Sequence, residues 1–293
     1  MKLASNRLFG ITLVAASAVL WSTAGLFVRM ADLDIWSIVG WRSAFSAVTL
    51  GLFMLIRNRV ERGSASRSFG WPGVGACAVS VIAAISYIAA LQWTSVANVM
   101  TIYAALPFLA TAIAFLWFGE RVTMRFIVAG LLAFCGIAVT VGAAVTARDL
   151  LGLVAAFAMT AGFASQLVIA KRYPSMDTTL MTACGAAACV VIALPFMQHS
   201  IPAPMQLLAC ALYGILTTGI AYVLVLMGSR LIGSGEAGFI SLLDVVLGPF
   251  WVWLFYDEQI SLPVFAGGGI VLFSVVWYLS GAGFKPTARL PAT

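Results

Sequence analysis

The stretch GEAGFISLLDVVLGPFWVWLFYDEQ, residues 235–259, decides the reading of this chain. A helix needs roughly 20 apolar residues, at about 1.5 Å rise each, to cross the ~30 Å hydrocarbon core of a bilayer, and this stretch has them. Three features break its apolar pattern. Asp244 falls near the middle, Gly248 and Pro249 follow one turn later as an expected helix break, and Asp257 with Glu258 closes the stretch. A carboxylate at that depth costs roughly 2.5–3.5 kcal/mol on insertion scales, so it is rarely left facing lipid. Proline removes a backbone donor and frees a carbonyl that neighbouring groups must satisfy. Such a helix is expected to line an interior or a cavity.

The rest of the chain agrees. Its 293 residues are 62% hydrophobic and 9% charged, with a mean hydropathy of +1.06. Soluble domains carry about 25% charged residues. No ten-residue segments alternate with period two, which disfavours a β-barrel and leaves an all-α integral membrane protein. The five cysteines, Cys77, Cys135, Cys184, Cys189 and Cys210, lie within apolar runs and read as small buried hydrophobes. A single histidine, His199, excludes an HExxH or multi-histidine metal site, and no cofactor is expected. The run from Leu8 to Val28 is too long for a signal peptide, so it reads as a retained first helix.

Charges and turn residues cut the sequence into ten spans, near 8–30, 35–56, 71–94, 97–118, 125–146, 150–170, 178–197, 205–229, 236–256 and 263–282. The third and fourth must form a tight hairpin turning at Thr94 to Asn98, because residues 68–119 contain no charge. Alternate loops divide the basic residues unequally. Lys2, Arg7, Arg57, Arg59, Arg62, Arg67, Arg121, Arg125, Lys171, Arg172, Arg230, Lys285 and Arg289 gather on one side, and Arg29 and Arg148 on the other. Both termini are therefore expected in the cytoplasm, and the formal charge of +6 is a topology signal, not a nucleic-acid footprint. Trp36, Trp71, Trp93 and Trp117 stand near span ends, where an indole suits the interface.

The chain also repeats itself weakly. At an offset of 138 residues Glu120 falls on Glu258, Gly130 on Gly268, Ile102 on Ile240 and Leu116 on Leu254, and each glutamate follows the fourth span of its half. Pro107 and Pro249 each interrupt that fourth span, one turn out of register. Five spans is an odd number, so the second half would enter the membrane upside down. An inverted repeat predicts a binding site near the midplane, bordered by broken helices.

With Trp21-Ser22 early, Trp41-Arg42-Ser43 in the second span, and Gly119-Glu120-Arg121 and Asp257-Glu258 after the fourth and ninth, the chain resembles the EamA type of the drug/metabolite transporter superfamily. Within it, Ser-Leu-Leu-Asp-Val-Val-Leu-Gly-Pro (241–249) and the length are most similar to the YddG-type aromatic amino-acid exporters. The second half departs from the common pattern, having Asp244-Val245 where that family usually has Glu-Pro. The resemblance implies ten transmembrane helices as two inverted five-helix repeats, 1–147 and 148–285, with a cytoplasmic tail at 286–293. It implies a bacterial plasma (inner) membrane transporter; a 5+5 protein can be complete as one chain, which leaves the oligomeric state open, and the absence of a Ser/His/Asp set or paired intramembrane carboxylates argues against an enzyme. It also implies export of small metabolites, aromatic and other amino acids first, by alternating access around a midplane cavity. Efflux of organic cations or drugs is the alternative, drawn by Asp244 and aromatic faces.

The candidate substrate-binding residues are Trp21, Ser22, Tyr87, Tyr103, Gln166, Tyr222, Ser241 and Asp244. Asp244 either binds an ammonium group or a proton, or forms a structural ion pair with Arg42, or accepts hydrogen bonds near Pro249. Trp21 either stacks on a substrate or packs on a neighbouring helix, and each tyrosine is a substrate donor or an interhelical tie. Gln166 and Ser241 carry the same alternatives. Arg42 reads as structural. Glu120 and Glu258, at helix ends, are candidates for gating or capping, with Pro107, Gly248 and Pro249 as helix breaks. The literal GxGxxG at 233–238 follows no strand and is discarded. Gly267, Gly268 and Gly269 are expected to permit close packing of the last helix.

Overall fold

The computed structural model describes residues 2–60, 69–119, 123–142, 146–173, 176–198, 200–229, 231–232, 237 and 240–281. These are helical nearly throughout. The helices are α1 Lys2–Ser22, α2 Ala24–Ala31, α3 Ile35–Val60, α4 Gly70–Trp93, α5 Val96–Tyr103, α6 Leu106–Phe118, α7 Met124–Gly142 and α8 Ala147–Arg172. They continue as α9 Thr178–Ala193, α10 Pro204–Leu212, a π-helical segment Tyr213–Ile220, α11 Ala221–Gly228, α12 Leu243–Tyr256 and α13 Leu262–Gly281. Seven helical stretches are long and apolar enough to cross a membrane, and eight when the bent pair α5–α6 counts as one. The two other apolar helices, Leu243–Tyr256 and Leu262–Tyr278, are shorter. Outward-facing side chains such as Trp71 and Leu116, 87% and 81% exposed, suit a lipid surround and not water.

The α4–α5 hairpin turns within Thr94 and Ser95, tighter than the sequence reading. Ser95 caps α5, its Oγ accepting from the Asn98 amide at 3.1 Å. The packing is the same when the two halves are exchanged. Helix α4 lies along α8, as α11 lies along α1; α5 and α6 pack on α8, as α12 packs on α1 and α2. Helices α3 with α9 and α7 with α13 pair across the halves. The last pair approaches closely because Gly136 and Gly267 face each other. A Cβ on Gly136 would meet the Gly267 carbonyl at 2.6 Å, and Gly268 abuts Thr101, whereas Gly269 faces open space.

The helix breaks correct one expectation. Pro249 and Gly248 lie inside a continuous α12, and the interruption falls at Leu242, before Asp244. In the first half it falls at Ala104 and Ala105, ahead of Pro107, where the axis bends by 40°. Proline early in a helix loses no intrahelical bond, so Pro107 starts α6 and the break precedes it. Ala104 and Leu242 stand 138 residues apart, as do the left-handed caps Gly119 (φ 64°) and Asp257 (φ 51°) that end α6 and α12. The repeat is thus held in backbone geometry, at the offset that aligns Glu120 with Glu258, while the prolines drift. Glu120, His199, the tail 286–293 and all of the 233–238 motif but Ala237 lie outside the described residues.

Candidate functional site

Four interruptions of helical regularity lie on neighbouring elements. They are the kink at Thr23 between α1 and α2, the break at Ala104–Ala105, the π segment Tyr213–Ile220 and the turn at Leu242. Irregular backbone at membrane depth is tolerated only where protein or a water-filled cavity surrounds it, so this layer is interior. π-helical turns recur at functional sites because the extra residue per turn re-aims side chains.

Asp244 sits in the first turn of α12, next to the Leu242 turn, and is 5% exposed. Its Oδ1 has no hydrogen-bond partner among the described residues. Within electrostatic reach of Tyr87 on α4 lie Tyr213, Asp244, Tyr103 and Arg42, a group of polar side chains drawn from both halves. The Tyr87 and Tyr103 rings both stand edge-on to Phe163 of α8, with centroids 6.5 and 6.2 Å away. Gln166 lies three residues on, the same face of the helix, and its Nε2 is buried without a partner. The arrangement sets three aromatic rings edge to face and leaves Asp244 Oδ1 and the Gln166 amide nitrogen without hydrogen-bond partners among the described residues.

No ion pair joins Asp244 to Arg42 among the described residues, which corrects that expectation. Arg42 is 8% exposed, its guanidinium lying over the Tyr213 ring 5.0 Å from the centroid. Three other candidates have partners of their own. Ser22 is fully buried at the Thr23 kink and accepts a hydrogen bond from Trp251 Nε1 at 2.8 Å, which ties α1 to α12. Ser241 donates to the Ala237 carbonyl at 2.9 Å, along its own helix. Tyr222 sits beside Thr178 and Thr182 near the Arg57–Asp177 pair, at the bundle end where α9 begins. Trp21 is half-buried and its ring stacks on no other aromatic among the described residues. Gly248 packs against Met100 of α5.

Glu258 serves the opposite end of the bundle. Its Oε2 accepts from Arg29 Nε and Nη2 at 3.1 and 3.0 Å, and its Oε1 accepts from the Val96 amide at 2.8 Å, capping α5. Arg29 also donates to the carbonyls of Leu91 and Thr94, at 2.7 and 3.3 Å. Sequence reasoning missed Phe163, Tyr213 and Trp251. The spacing of Phe163 before Gln166 could have signalled the first; nothing local distinguishes Tyr213 or Trp251 from interfacial aromatics.

A sequence profile of the EamA-like transporter family matches residues 8–142 and again 147–280. The chain belongs to the EamA-like transporter family. Two matched copies agree with the recurring breaks and caps, and family membership makes it a multi-pass membrane transporter of small molecules. No curated protein matches the chain. A protein of known crystal structure is similar in fold to this EamA-like transporter, at 19% identity over 94% of this chain and 98% of that one, with a TM-score of 0.64.

Proposed function

We propose that this EamA-like protein exports small metabolites with an apolar body and a charged head, aromatic amino acids first. In this reading ten crossings form two inverted five-helix repeats, 1–147 and 148–285, in a bacterial plasma membrane with both termini in the cytoplasm. The halves rock about the central layer, so that the cluster opens to one side and then the other. The likeness to YddG-type exporters supports the substrate class and the outward direction.

The single observation that carries the reading is the Asp244 carboxylate: buried, lacking an ionic partner among the described residues, and within electrostatic reach of Tyr87 and Tyr103. A buried charge is normally paired, so its partner is a substrate ammonium group or a proton. The test is release of preloaded labelled phenylalanine, tyrosine, tryptophan and threonine from proteoliposomes, with and without a pH gradient. Release above empty liposomes supports amino-acid export; no release of any of them by folded protein sinks it.

The same lone carboxylate favours one competing reading, efflux of organic cations. In that case expression would confer resistance to quaternary ammonium compounds, and Asp244→Asn would remove it.

A further inference from the structure

We infer that Arg42 and the Tyr213 hydroxyl form an anion subsite for a carboxylate, distinct from the Asp244 carboxylate. The inference rests on the reading of a small charged substrate and reassigns Arg42, a structural residue by sequence, to binding.

Arg42 is more than nine-tenths buried, no carboxylate among the described residues forms an ion pair with it, and its Nε has no hydrogen-bond partner. Arginine stays charged in proteins, so neutralisation cannot relieve the cost of burying it. The Tyr213 ring beneath the guanidinium attracts it, but a ring face accepts none of its five donors in the plane of the fork. The Tyr213 hydroxyl is also buried, and among the described residues no group other than Arg42 is within hydrogen-bonding reach of it. A buried cation with no ion-pair partner among the described residues and an unpaired Nε, beside a hydroxyl that Arg42 alone approaches, calls for a ligand that is anionic and accepts several hydrogen bonds. A planar carboxylate matches the guanidinium fork.

The backbone holds the pair in place. The Arg42 carbonyl accepts from Ser46 Oγ at 2.9 Å, and the same hydroxyl lies 3.2 Å from the Gly214 carbonyl. A Cβ on Gly214 would lie 2.9 Å from Phe45 Cβ, so only glycine lets α3 sit this close to the π segment. The widened turn begins at Tyr213 and presents its ring to Arg42. Tyr87, within electrostatic reach of both Arg42 and Asp244, joins the positive and negative ends of the cluster.

Calorimetric binding of three ligands to the purified full chain tests this: phenylalanine, phenylalaninamide, which lacks the carboxylate, and 3-phenylpropionate, which lacks the ammonium group. Wild type is expected to bind phenylalanine at least about tenfold more tightly than the amide, as a charge-assisted pair supplies. Arg42→Gln should erase that preference, Arg42→Lys should keep part of it, and Tyr213→Phe, which retains the ring, should reduce it. Equal wild-type affinity for phenylalanine and its amide overturns the subsite, as does an equal loss of both in variants that elute as folded protein. If 3-phenylpropionate binds in an Arg42-dependent way while phenylalanine does not, the subsite stands and the amino-acid assignment falls. Failure of all three to bind overturns both.

Discussion

Glu258 and Arg29 meet at 3.0 Å across 229 residues of sequence, and the carboxylate that holds the guanidinium also caps α5 through the Val96 amide. One side chain from the second half thereby fixes two elements of the first, α2 and the α4–α5 hairpin. Arg148 and Asp149 add to the same seam, reaching the Gln92 carbonyl and the Thr94 hydroxyl, each at 3.3 Å.

Glu258→Ala should lower the unfolding stability by about 1–3 kcal/mol, since it removes charge-assisted bonds and a helix cap. Glu258→Gln should retain the Val96 cap and lose less. Thermal unfolding in one detergent checks the order. A Glu258→Gln loss as large as that of Glu258→Ala would show that the ion pair, not the cap, dominates.

Asp244→Asn keeps the shape of the side chain and removes the charge. Transport in proteoliposomes should fall at least about tenfold while the protein stays folded, because a charged hydrogen bond contributes roughly 1.5–3 kcal/mol. Unchanged rates with and without a pH gradient would remove Asp244 from the site.

The α7–α13 contact has little room. Gly136→Ala or Gly267→Ala places a methyl against backbone atoms of the facing helix and should destabilise by about 1–3 kcal/mol. Gly269→Ala, in open space on the same helix, should be neutral or stabilising by up to about 1 kcal/mol. Parallel melts of the three variants make the comparison, and equal melting temperatures would refute the close-packing account.

Ser22 and Trp251 should couple. Ser22→Ala and Trp251→Phe each remove the 2.8 Å bond between α1 and α12. A double-mutant cycle should return a coupling of about 0.6 kcal/mol, the usual size for such bonds in membrane bundles. Zero coupling would leave Ser22 available to substrate.

By itself the sequence determined the membrane setting, the all-helical class and the recurrence of the halves. Bilayer physics acts on each segment separately: apolar length, missing charge and loop lysines or arginines are local quantities. It also marked Asp244, because a lone carboxylate in an apolar run is conspicuous without any knowledge of its neighbours. Tertiary structure decided what surrounds that carboxylate. The prolines suggested breaks at 107 and 249, yet the chain turns at Ala104 and Leu242, because a proline within the first turns of a helix fits it and Pro249 is accommodated inside α12. Tertiary structure also gave Ser22 a partner in Trp251 and set Tyr222 beside Thr178 and Thr182, and it brought Phe163 against the Tyr87 and Tyr103 rings and Tyr213 beneath Arg42. Which face of an apolar helix meets which neighbour depends on packing across more than a hundred residues, and a span that is hydrophobic on every side carries no periodic signal of its inner face.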